Sequence, residues 1–225
     1  MRTEFFRKRI LSVVGVATTF FIVIGIYVYT RYLNNATVEA VSQNYYFLVS
    51  DSTHIEASTH KIVLSGGAGY LLEENGTEYV TISAYPSKAE AESVQSRVNE
   101  STKILSVGQK ALYFKTRKEK KNAKVVVNAL SCLNDTIEII HQEISRLEEG
   151  ATQESSKRLL NIIRKQLDYL ANEYRDDYTQ YAQVCVWASG FIGEMIAKVV
   201  YAQDMRYLEC GLCVAYHELA QEFSL

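Results

Sequence analysis

Apolar residues run without a charge from Ile10 to Thr30 (ILSVVGVATTFFIVIGIYVYT), interrupted only by the hydroxyls of Ser12, Thr18, Thr19 and Thr30. A helix needs about 20 predominantly apolar residues to cross the hydrocarbon core of a bilayer, where it must also satisfy its own backbone hydrogen bonds. The pattern predicts a transmembrane helix over 10–30. Arg2, Arg7, Lys8 and Arg9 crowd its near side, whereas Arg31 stands alone on the far side until Lys61. That asymmetry keeps residues 1–9 in the cytoplasm, and Tyr27, Tyr29 and Tyr32 fall where an interfacial aromatic belt would sit. A cleaved secretory signal has a shorter apolar region, about 7–15 residues, closed by a small-x-small site. Here Arg31 closes the stretch and the best candidate site, Val38-Glu39-Ala40, lies well downstream. The expected localisation is therefore the cell membrane, single-pass, with the bulk of the chain extracytoplasmic.

After a linker over 31–43, the hydrophobic period shortens to two. Asn44-Tyr45-Tyr46-Phe47-Leu48-Val49 is a β-rich run closed by Ser50-Asp51-Ser52-Thr53. Asn75-Gly76 is a hairpin-turn signal between Tyr70–Glu73 and the alternating run Tyr79–Tyr85. Ser87 and Glu90 then form an S-x-x-E capping box, and Ala91, Val94 and Val98 give the following helix its apolar face. Further β-type runs lie at Ile104–Val107 and Ala111–Phe114, of which the sheet needs one. Residues 44–116 are expected to form one small α/β domain. His54–His60 is a short first helix without a clear apolar face.

A basic run follows, Lys115, Arg117, Lys118, Lys120 and Lys121 around Glu119. It reads as a solvated linker over 117–124, although clustered cations also gain from anionic polymer or lipid headgroups. From Ala123 the spacing alternates between four and three: Val126, Leu130, Leu133, Ile137, Ile140, Ile144 and Leu147. Gly150 stops that helix. The seam resumes at Leu160, Ile163, Leu167, Leu170, Tyr174, Tyr178, Tyr181, Cys185 and Ala188, and the short connection places the two helices antiparallel. A last helix from about Glu194 carries Ile196, Val199, Leu208, Leu212, Ala215 and Leu219. Residues 125–225 are thus expected to be an antiparallel helical bundle or a long helical hairpin. Ala182–Ala202 is apolar, but Gln183, Glu194 and Lys198 interrupt it at a depth where polar groups are costly, so it reads as a buried bundle helix.

The segment Tyr79-Val80-Thr81-Ile82-Ser83-Ala84-Tyr85-Pro86-Ser87-Lys88-Ala89-Glu90-Ala91-Glu92 resembles the second half of a SPOR domain, the sporulation-related repeat of bacterial cell-envelope proteins. In that family a strand runs through S-x-x-E-A into a helix. Tyr45–Val49 matches its first strand and Gly69–Leu72 its second. Leu48 stands where the family often has Gln, and Ser83 where it often has Gly. The resemblance implies a βαββαβ domain whose open sheet face binds peptidoglycan glycan strands, in a membrane-anchored protein of cell division or sporulation. The fold class expected on these grounds is α+β: an N-terminal transmembrane helix, a small SPOR-like domain and a C-terminal antiparallel helical bundle or long hairpin.

Composition narrows the chemistry. A net charge of −2 supplies no field for nucleic acid, and with a single proline, Pro86, the chain is no disordered stalk. Four sequons occur, at Asn35, Asn75, Asn99 and Asn134, and they matter only in a eukaryotic secretory compartment. All four cysteines, Cys132, Cys185, Cys210 and Cys213, lie in helical sequence. Cys210-Gly211-Leu212-Cys213 lacks the preceding strand of a thioredoxin motif, so packing is favoured over redox chemistry. Cys210, Cys213 and His217 share a helix face, but a structural zinc needs four ligands and no fourth is visible. His54, His60, His141 and His217 are scattered, and no nucleophile motif surrounds them. No catalytic residue, metal or cofactor is expected, and the protein reads as a non-enzyme.

The candidate glycan-binding residues are Tyr79, Thr81, Ser83 and Tyr85. Strand alternation puts them on one face of the third strand, opposite Val80, Ile82 and Ala84. Aromatic and hydroxyl groups on an open sheet face can stack on and hydrogen-bond to sugar rings. The partners implied are the membrane through 10–30, peptidoglycan, and envelope or division proteins at the helical region. Alternatively, the helical region oligomerises or recruits proteins without any glycan binding.

Overall fold

The computed structural model describes residues 43–52, 54–98, 101–108 and 117–221, with side chains of the last segment described from Ala123. The N-terminal half holds β1 (Asn44–Ser50), α1 (Ile55–Leu64), β2 (Tyr70–Glu74), β3 (Thr77–Tyr85), α2 (Lys88–Gln95) and β4 (Thr102–Gly108). The strands form one antiparallel sheet in the order β2-β3-β1-β4, a split βαβ arrangement. Local chemistry fixes its joints. Asn75 and Gly76 both take positive φ, 53° and 73°, as a two-residue type I′ hairpin turn requires. The Ser87 side chain caps α2 by accepting from the backbone N–H of Glu90 at 3.3 Å.

Four helices follow: α3 (Arg117–Glu148), α4 (Gln153–Glu173), α5 (Thr179–Ile196) and α6 (Ala202–Gln221). Gly150 ends α3 at φ 97°, and the Thr152 hydroxyl caps α4 by accepting from the N–H of Ser155. The continuous seam read through Tyr174 and Tyr178 is broken there, because Arg175-Asp176-Asp177 forms a turn between α4 and α5. α4 packs chiefly on α5, and α3 chiefly on α6. The α3–α6 pair is antiparallel: Asn134 and Tyr216 both meet Tyr45, His141 meets Glu209, and Glu148 meets Arg206.

The helices α1 and α2 pack against the sheet, and α6 packs over β3, β2 and β4 on the opposite face. From Leu208 to Cys213 every residue of α6 is buried, the mark of a helix enclosed on all sides. One hydrophobic core therefore runs from Tyr45, Phe47, Val49, Leu72 and Ala84 through Leu133, Ile137 and Ile140 to Leu160, Ile192, Leu208 and Leu212. A smaller cluster, Leu48, Tyr85 and Ala91 with Val94 and Ile104 beside it, lies under α2.

The expected fold class is corrected by this arrangement. The described chain has six helices and a four-stranded antiparallel sheet, and the C-terminal helices are neither a separate bundle nor a long hairpin. Six consecutive buried residues on α6 and the apolar sheet face have only each other to exclude water, so the two halves fuse. The segment 10–30 lies outside the described residues. Among those described, no helix is long and apolar enough to cross a membrane, the α5 region included.

Candidate functional site

The four residues expected to face a glycan do not share a face. β1 and β3 pair Phe47 with Ala84 and Leu48 with Ser83, but Val49 with Thr81. Ile82 is the extra residue of a β-bulge, which shifts the in/out alternation by one position. Before the bulge Tyr79 and Thr81 point toward α6. After it Ala84 takes that side, and Ser83 and Tyr85 turn to the other.

Both sides are covered. Thr81 is fully buried, donating to the Tyr70 carbonyl oxygen at 3.0 Å, with the Cys210 sulfur 3.6 Å away. Ser83 is buried opposite Leu48. Tyr85 is 8% exposed, its ring edge-on to His141 at 6.1 Å. Tyr79 is half-buried under the Lys103 ammonium, 3.9 Å above its ring. Thr81, Ser83 and Tyr85 offer no open stacking surface, whereas Tyr79 borders a cleft of about 700 Å³ with Glu73, Thr77 and Lys103.

The ring-lined surface lies elsewhere. A groove of about 510 Å³ runs between α5, α6 and the edge strand β2, bounded by Tyr70, Gln180, Gln183, Trp187, Gly211 and Glu218. Its two lining rings, Trp187 and Tyr70, are linked by Phe191 and Tyr207, which lie outside the lining. Trp187 stands 6.2 Å from Phe191, Phe191 stacks on Tyr207 at 5.6 Å, and Tyr207 meets Tyr70 edge-on at 5.2 Å. Trp187 and Tyr207 remain 40% and 37% exposed. Gly211 makes this possible: a Cβ there would come within 2.5 Å of the indole. Burial, with Tyr207 adding to it, pushes the Tyr70 phenol up to about 12, so at neutral pH its hydroxyl is an intact donor. Sequence reasoning missed this groove, although the charge-free run Thr179–Phe191 around the one tryptophan carried a signal for it.

A further cleft, about 390 Å³, opens between α2 and α3 over Tyr85. At its side His141 binds two carboxylates, Glu209 through Nδ1 at 2.6 Å and Glu90 through Nε2 at 2.8 Å. The hydrogen bond to Glu209, supported by Glu90 and opposed by burial, pushes the imidazole up to about 9. At neutral pH both ring nitrogens therefore donate. Burial raises the Glu209 carboxyl, and the His141 cation counteracts it. Arg206 binds Glu148 and the Gly66 carbonyl oxygen. These charges tie α2, α3 and α6 together, and their mutual pairing leaves no unpaired base on His141.

Burial pushes the Cys210 and Cys213 thiols well above their ordinary range, the reverse of a reactive thiolate. All four cysteines are free. Among the described residues no group of three or more His, Cys, Asp or Glu is placed to hold a metal ion. Asn134 accepts from the Tyr45 hydroxyl at 2.8 Å and donates to Glu138 one turn on along α3.

No family model matches the chain, and no curated protein or solved structure matches it. The SPOR resemblance rests on the quoted residues alone.

Proposed function

We propose that this is a non-enzymatic bacterial envelope protein, held at the membrane through the apolar segment 10–30, that binds peptidoglycan glycan strands in the groove between α5, α6 and β2. The observation that carries this is that exposed Trp187 and half-buried Tyr70 line one groove whose polar side chains include Gln180, Gln183 and Glu218. Aromatic faces stack on the C–H surfaces of sugar rings, and amide and carboxylate side chains bond to hydroxyls and N-acetyl groups. The groove is concave, with Val184, Val214 and Leu219 as its apolar lining and a few polar side chains around them. The basic cluster before residue 10 supports an extracytoplasmic placement for everything after Arg31, in the compartment that holds the wall.

The test is co-sedimentation of the full chain, in detergent micelles, with purified peptidoglycan and with glycan stripped of its stem peptides. Binding that disappears in Trp187→Ala supports the reading. Absence of binding to both preparations overturns it.

One observation favours a second reading, a structural protein whose helical region oligomerises or recruits proteins. Ile162 and Tyr169, one heptad apart on α4, are each 64% exposed. Light scattering on the full chain would return a monomer in micelles if that surface has no self-association role.

A further inference from the structure

The groove is chemically one-sided. Among the described residues its ionisable lining groups are Tyr70, uncharged at neutral pH, and Glu218, with no Lys, Arg or His bounding it. Beside it, His217 is held down by burial despite Glu74 and Glu218 nearby, so its imidazole adds no cation at neutral pH. Gln180 and Gln183 present both donors and acceptors, whereas a carboxylate only accepts.

A ligand entering here meets the Trp187 ring and the apolar Val184, Val214 and Leu219, with Glu218 exposed at the rim. An acidic sugar would bring its own carboxylate beside Glu218 with no cation among the described lining residues, and like-charge juxtaposition opposes binding. A hydroxyl pair, an amide N–H or an ammonium would find an acceptor in Glu218 and a ring face in Trp187.

We infer that the groove selects uncharged or amine-bearing saccharide units and rejects acidic ones, with Glu218 as the residue that sets the preference. This rests on the saccharide reading above and adds to it the class of sugar. Within a mixed wall polymer, the docked unit would be an N-acetylated or free amino sugar without a carboxyl group.

The chain has one tryptophan, so fluorescence reports directly on the groove. The full chain in neutral micelles would be titrated with chitotetraose, its de-N-acetylated tetramer and tetragalacturonate. The first two should quench or shift Trp187 emission, and the acidic tetramer should bind at least about tenfold more weakly, a gap of about 1.4 kcal/mol. Glu218→Gln should narrow that gap to about twofold by improving the acidic ligand, since like-charge juxtaposition is what opposes it. Equal binding of all three, or an unchanged gap in Glu218→Gln, overturns the charge preference and leaves the saccharide reading standing. No response to any of the three overturns both.

Discussion

The indole of Trp187 rests against α6 at Gly211, where a methyl group would meet its Cη2 at 2.5 Å. A glycine inside a helix costs roughly 0.5–1 kcal/mol relative to alanine, so this position gives up helix stability to seat a ring. Gly211→Ala should therefore change unfolding free energy by no more than about 1 kcal/mol, helix propensity offsetting the crowding. The displaced indole should shift its emission and weaken glycan binding. Unfolding curves and Trp fluorescence on the same samples separate the two effects.

Tyr85 and Trp187 should behave oppositely. Tyr85 is buried against Leu48 and Ala91, and removing such a ring typically costs about 3–5 kcal/mol. Tyr85→Ala should destabilise the whole chain, whereas Trp187→Ala should abolish binding with a much smaller stability change. Denaturant midpoints measured beside peptidoglycan co-sedimentation would decide between the groove and the sheet as the binding surface.

His141→Ala leaves Glu209, 1% exposed, without its cation. Breaking a buried pair in this way typically costs about 3–5 kcal/mol. Glu209→Gln should cost less, because an amide keeps a hydrogen bond without a buried charge. Urea titrations of the two variants provide the comparison.

The same pair gives a pH dependence with a definite sign. The His141 imidazole is raised from 6.5 to about 9 in the folded chain, so the folded state binds its proton more tightly than the unfolded state does. Its contribution is complete below about pH 6.5 and is lost as pH rises through about 9, at most about 3 kcal/mol. Stability of the native chain should fall between pH 7 and 10. His141→Gln should flatten that part of the curve.

Thiol accessibility should follow burial. Cys185, Cys210 and Cys213 are buried and Cys132 is half-buried, with burial raising all four thiols. An aromatic disulfide reagent at pH 8 should label Cys132 first, and the other three only after unfolding. Prompt labelling of Cys210 in the native chain would contradict its place under the sheet.

Much of the local structure was legible in the chain itself. Asn75-Gly76 specified a type I′ hairpin, because both residues tolerate positive φ. Ser87-x-x-Glu90 marked the start of α2 through a side-chain cap, although Glu90 turns its carboxylate to His141 rather than back to the helix end. The four-three spacing from Val126 to Ile144 marked a buried helical stripe, and each of those residues is buried. These signals are short-range, set by backbone sterics and by which residues avoid water.

Tertiary structure decided what those elements face. A single bulge at Ile82 separates Thr81 from Ser83 and Tyr85, and nothing in the alternating run announces it, since its cause is the pairing with β1. The seam of α3 looks the same whether α4 or α6 fills it; the choice of α6 depends on a sheet face more than 100 residues away that also needed cover. That choice closed the expected sheet surface. It also brought Tyr70, Trp187 and Glu218 to one groove, a juxtaposition made by packing across three elements and invisible to any sequence period.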